Sequence, residues 1–97
     1  MFVVLNELHI PGDISDLLEI IRAEFAPVFR GLKGFISFDL VKSAEDRYTV
    51  LIFWDNGEDA ANGAGVFGPS LFAKHVMPRL ASEQNRSVGP VVASIRP

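Results

Sequence analysis

The sequence predicts an α+β domain whose elements run β-α-β-β-α-β around an antiparallel sheet, and three stretches carry that expectation. Phe35–Val41 and Tyr48–Trp54 are apolar runs on either side of the polar segment Ser43-Ala44-Glu45-Asp46-Arg47, the pattern of a β-hairpin. Ile14, Leu17, Leu18, Ile21, Phe25, Val28, Phe29 and Leu32 recur at helical spacing and form one apolar stripe. Thr49-Val50-Leu51-Ile52-Phe53-Trp54 does not alternate with polar residues, so both faces of that strand are expected to be buried. Helices drawn from 97 residues can cover one face of a sheet but hardly two. The expected second cover is another copy of the chain, giving a homodimer.

In chain order, Phe2–Ile10 reads as the first strand, stopped by Pro11-Gly12, and Asp13 or Ser15 can accept the first free N–H groups of the helix that follows. Pro27 lies inside the helical stripe and predicts a kink or a loosened last turn, while Gly31 and Gly34 return the chain to the hairpin. After Trp54 the composition changes. Three glycines, Gly63, Gly65 and Gly68, predict a mobile flap rather than a stable helix, although a short helix can start at Glu58. A new helix is expected from Pro69, carrying Leu71, Phe72, His75, Val76, Arg79 and Leu80, with Pro78 loosening its end. A polar link, Ser82–Arg86, then leads to a last strand around Val88–Ile95, with Pro90 pointing to a sheet edge.

Composition narrows the function. The length fits one domain, residues 1–97, and a chain this small buries only about 60–65% of its unfolded surface, so an added interface would help it. No cysteine is present, which excludes disulfides and thiol chemistry and makes a cytoplasmic location the default. Nine basic against twelve acidic residues, with no basic run, argue against nucleic acid as a partner. No signal-like start and no apolar run of ~18 residues argue against secretion and a membrane. Two distant histidines offer no metal site. Gly63-Ala64-Gly65-Val66-Phe67-Gly68 matches G-x-G-x-x-G, but it does not follow a strand directly and the chain has no room for the parallel sheet that a dinucleotide site requires.

The element order, Pro11-Gly12 before the first helix, Gly34-Phe35 opening the second strand, Phe53-Trp54-Asp55 ending the third, and a helix restarting at Gly68-Pro69-Ser70-Leu71-Phe72 together resemble the antibiotic biosynthesis monooxygenase family over nearly the whole chain. The resemblance implies a ferredoxin-like unit, two of which pack their sheets into a dimeric α+β barrel. It also implies a cofactor-independent monooxygenase that acts with oxygen on a small aromatic molecule of quinol or anthrone type, with no cofactor. The alternatives on the same fold are a non-catalytic dimeric module for ligand binding or interaction, a haem-degrading enzyme, and an isomerase.

Six residues are candidates for the site. Asn6 stands among apolar neighbours on the first strand, where a buried amide needs partners; it is either a satisfied core group or an amide facing a ligand. The resemblance implies the second, because the strand-one asparagine matches a family site position. His75 is the side chain best suited to move a proton near neutral pH, against the common reading of a structural or solvated histidine. The haem-degrading branch of the resemblance has a histidine at about this point, but the tryptophan it pairs with would fall near Gly65, where there is none. Asn6 and His75 are therefore the expected catalytic pair, with Asn6 stabilising an oxyanion and His75 taking the proton. Trp54, Phe67, Phe72 and Tyr48 are the expected substrate-binding residues, set against the commoner reading of such aromatics as plain core.

Overall fold

The computed structural model describes Met1–Pro97. Four strands, β1 (Phe2–His9), β2 (Phe35–Ala44), β3 (Arg47–Trp54) and β4 (Asn85–Pro90), form one antiparallel sheet in the order β2-β3-β1-β4. Two helical arms connect them and lie on one face. The first comprises α1 (Ser15–Ile20), a π-helical turn (Ile21–Phe25) and α2 (Ala26–Arg30). The second comprises α3 (Gly57–Phe67), a π-helical stretch (Gly68–Val76) and a 3₁₀ turn (Met77–Arg79). This is the ferredoxin-like arrangement.

Proline chemistry accounts for the irregular helices. Pro27 has no N–H to return to the carbonyl four residues earlier, and its ring crowds that carbonyl, so the turn before it widens to π-helix. Pro69 and Pro78 bracket the longer π-helical stretch in the same way. The hairpin closes through Glu45 and Asp46, the latter with a positive φ of 58°. The Asp46 carbonyl accepts from Ile10 N–H, and its carboxylate accepts from Gly12 N–H at 3.1 Å, which ties the hairpin tip to the end of β1.

Strand alternation sets the core. Val4, Asn6 and Leu8 of β1 and Tyr48, Val50, Ile52 and Trp54 of β3 face the helices and are buried against Leu17, Phe25, Phe29, Phe67, Phe72 and Val76. Aromatic rings dominate one end: Phe29 lies 4.7 Å from Phe67 and 6.2 Å from Trp54, centroid to centroid. The opposite sheet face is uncovered. Thr49, Leu51 and Phe53 are half-buried, and Val41 is 47% exposed, so within one chain only the helix face of β3 is enclosed.

Two expectations fail. The glycine-rich segment is no loose flap: Gly57–Phe67 is α-helix, capped reciprocally by Asn56, whose Oδ1 accepts from Asp59 N–H at 2.8 Å while its Nδ2 donates to the Asp59 carboxylate at 3.1 Å. The last strand is Asn85–Pro90, not Val88–Ile95, because pairing with β1 runs out there: Phe2 opposes Pro90 and Val91 N–H donates to the Met1 carbonyl.

Candidate functional site

Asn6 occupies an inward position of β1, between Val50 of β3 on one side and Arg86 of β4 on the other. It is 8% exposed, and its Oδ1 is buried with no hydrogen-bond partner. Directly opposed side chains on one face of an antiparallel pair are close neighbours, so register alone puts the Arg86 side chain next to the Asn6 amide. Gln84, two residues before Arg86, adds a second buried amide oxygen without a partner. Arg86 itself is in no ion pair.

Trp54 ends β3 on the same face and is 2% exposed. The outer edge of its six-membered ring abuts α3 at Gly63, where a Cβ would come within 2.1 Å of the ring. Only glycine admits that contact. Ala60, Ala64 and Gly68 continue the strip of small residues, and the space they leave is a cavity of ≈ 250 Å³. Its wall has two halves. Trp54, Phe29, Phe67 and Phe72 form an aromatic side, while Asn6, Gln84 and Arg86 gather at the β1–β4 side. Such a cavity can hold a flat apolar ring by stacking and read its polar substituents at one edge.

Of the expected site residues, Asn6, Trp54, Phe67 and Phe72 line this cavity, and His75 and Tyr48 do not. His75 turns toward the first helical arm. Its Nε2 approaches Glu24 Oε1 at 3.4 Å without hydrogen-bond alignment, and its ring sits 6.1 Å from that of Phe25. The cause is the π-helical winding: it takes more residues per turn than an α-helix, so three residues turn through a smaller angle and His75 stops short of the face that Phe72 presents. Tyr48 is buried at the far end of β3, six residues or about 20 Å along the strand from Trp54. Gln84 and Arg86 were missed because they fell in the expected polar link. The spacing Gln84, Arg86, Val88 on one strand face was the signal available for them.

Outside the cavity, Arg79 grips Asp16 with two guanidinium nitrogens and donates through Nε to the His75 carbonyl at 3.1 Å, joining the two helical arms. The hydrogen bond from Arg79 holds the Asp16 carboxyl below its ordinary value. Ser15 does the same for Asp13, through its hydroxyl and its backbone N–H. No three His, Cys, Asp or Glu side chains are grouped to hold a metal ion, and no helix is long and apolar enough to cross a membrane.

A profile of the antibiotic biosynthesis monooxygenase family matches residues 1–62, which span β1 through the start of α3 and include Asn6 and Trp54. The chain belongs to the antibiotic biosynthesis monooxygenase family. Solved members and neighbours share its fold over almost their whole length. The chain is similar to the monooxygenase of the ActVA-Orf6 gene of Streptomyces coelicolor, in complex with nanaomycin D, at 17% identity and a TM-score of 0.76, covering 99% of this chain and 91% of that one. It is similar to SnoaB, a cofactor-independent oxygenase from Streptomyces nogalater, at 17% identity and a TM-score of 0.72, over 97% and 95% of the two chains. It is also similar to the haem degrader MhuD of Mycobacterium tuberculosis, with two haems bound, at 23% identity and a TM-score of 0.70, over 99% and 100%. At these identities the likeness shows the fold. No curated protein matches the chain by sequence.

Proposed function

We propose that this family member is a cofactor-independent monooxygenase that acts on a small hydroxyaromatic or anthrone-like substrate, and that it works as a cytoplasmic homodimer. The observation that carries the reading is the unpartnered Asn6 Oδ1 on the wall of an aromatic-sided cavity. A buried amide left unpaired costs stability, so its retention is best explained by a ligand that pairs it. The aromatic side holds the ring, with Trp54 as its largest face.

The polar edge favours an ionised substrate. Arg86 is permanently cationic and Asn6 Nδ2 is a donor, and both stabilise an oxyanion on the bound ring. The wall carries no carboxylate, imidazole or phenol to take the proton, so the proton leaves to solvent as the anion forms. His75, expected to accept it, faces Glu24 instead and has no part in this step. For a hydroxyanthrone, whose ring hydroxyl donates to Asn6 Oδ1, the electron-rich carbon of the anion bonds one atom of dioxygen, and the O–O bond then breaks. The ring methylene becomes a carbonyl, and the second oxygen atom leaves as water with the remaining methylene hydrogen and one proton returned from solvent.

Haem does not fit. Haem iron takes an axial His, Cys, Met or Tyr, and none of these lines the cavity. The homodimer is supported by the uncovered sheet face, where Val3, Leu5, Leu51 and Phe53 are apolar and only half-buried. The test is oxygen uptake with naphthohydroquinone and a dihydroxyanthrone, without added metal, flavin or haem, comparing the protein with its Asn6→Leu variant. Uptake above the spontaneous rate that disappears in the variant supports the reading. Equal uptake by both overturns it, and no uptake by either leaves a ligand-binding module as the better account.

A further inference from the structure

We propose that Gln84 is a specificity-determining residue of this cavity, a second hydrogen-bond acceptor that selects ring ligands bearing two separate donors over those bearing one. The proposal deepens the functional reading above and rests on it for the aromatic nature of the ligand. Three observations carry it. Gln84 Oε1 and Asn6 Oδ1 are both buried and both without partners, and both residues line one cavity. Arg86, the cation beside them, hydrogen-bonds to neither oxygen, so the chain does not satisfy its own acceptors. The remaining wall is apolar apart from backbone and offers no side-chain donor except the Trp54 indole N–H, which stands on the aromatic side.

Once a ligand displaces the water of the cavity, the missing protons come from the ligand. A hydroxyl carries one proton and can donate to one acceptor, so a single phenolic group cannot pair both amide oxygens. A ring with two hydroxyls, or a hydroxyl and an N–H, can pair both. Where one hydroxyl has donated its proton to Asn6 or Gln84, its oxygen still accepts from the Arg86 guanidinium, so one ligand satisfies all three polar side chains. A ligand with one donor leaves one buried oxygen unpaired, a penalty equivalent to roughly a tenfold to hundredfold loss of affinity. A ligand with acceptors alone, such as a quinone, leaves both unpaired.

Calorimetric titration under argon, where no turnover occurs, tests this with naphthohydroquinone, its monomethyl ether and naphthoquinone. The protein should bind the hydroquinone about tenfold or more tighter than the monoether, and the quinone weakest. Gln84→Met keeps the length of the side chain and removes the acceptor. Because Gln84 lies before β4 and is only part-buried, the variant should stay folded, and its melting curve checks this. In Gln84→Met the hydroquinone and the monoether should bind alike. The same discrimination in Gln84→Met and wild type, tighter binding of the quinone than of the hydroquinone, or no binding of any of the three overturns the proposal. Discrimination that depends on Gln84 in a protein that takes up no oxygen upholds it while refuting the oxygenase reading; oxygen uptake without such discrimination does the reverse.

Discussion

Replacing Asn6 with leucine should stabilise the protein while abolishing ligand binding. A structural amide, hydrogen-bonded in the core, would lose stability on the same change. Asn6 is 8% exposed, its Oδ1 has no partner, and its neighbours are Val4 and Leu8 along the strand and Val50 and Arg86 across it. Burying an amide without a partner costs about 1–3 kcal/mol in proteins, and replacing it with an apolar group of similar shape recovers part of that cost. The adjoining cavity gives room for methyls bulkier than the amide oxygen and nitrogen they replace, so overpacking is small, but it also lets water relieve part of the original penalty. A net gain of about 1 kcal/mol is expected, at the low end of the range. For a chain of 97 residues that raises the melting midpoint by about 4–8 °C. Thermal unfolding followed by circular dichroism, at one fixed protein concentration, measures it. A fall of similar size would mean that Asn6 is paired in the native core, and the ligand-facing reasoning would be wrong.

Gly63→Ala should destabilise by about 1–2 kcal/mol, since overpacking against the buried indole of Trp54 outweighs the helix propensity gained; denaturant unfolding checks it, and a stabilised variant would mean the indole is not seated there. Gly34→Ala should cost more, about 2–4 kcal/mol, because the position has a φ of 77° and its Cβ would meet the Asp59 carboxylate; a loss below about 1 kcal/mol would contradict this. Asp16 has a folded-state pKa below its ordinary 3.8, so its contribution is complete above that value and is lost as pH falls through the lowered one. Unfolding midpoints taken between about pH 5 and pH 2 should therefore decline less steeply in Asp16→Asn than in wild type, and identical slopes would remove the Arg79 clamp from the account. Leu51→Glu, on the uncovered sheet face, should convert a dimer to a monomer by light scattering without loss of secondary structure.

The hairpin and the first helix were legible because period and burial agree there, whereas Asn6 was singled out as an amide among apolar neighbours and by the family resemblance, and Trp54, Phe67 and Phe72 only as aromatics able to wall a pocket. β4 was not legible at its true position. Asn85-Arg86-Ser87 has no strand composition, and it is a strand only because β1 offers an edge to pair with, which hid Arg86 and Gln84. The glycines of α3 misled in the other direction. Their poor helix propensity is overridden by the Asn56–Asp59 cap and by Trp54 packing on Gly63, interactions that a local window does not contain. His75 was placed by assuming α-helical winding, whereas the stretch that runs from Pro69 near its start to Pro78 just past its end is π-helical.

Isotope-labelled dioxygen tests the central claim most directly. The protein, free of added metal, flavin and haem, is turned over with a dihydroxyanthrone under dioxygen carrying the heavy isotope in both atoms, and the quinone product is weighed by mass spectrometry. The account predicts one heavy oxygen in the product, formed at a rate that falls to the spontaneous background in Asn6→Leu. Product formed at equal rates with and without the Asn6 amide, or carrying no heavy oxygen, would contradict it.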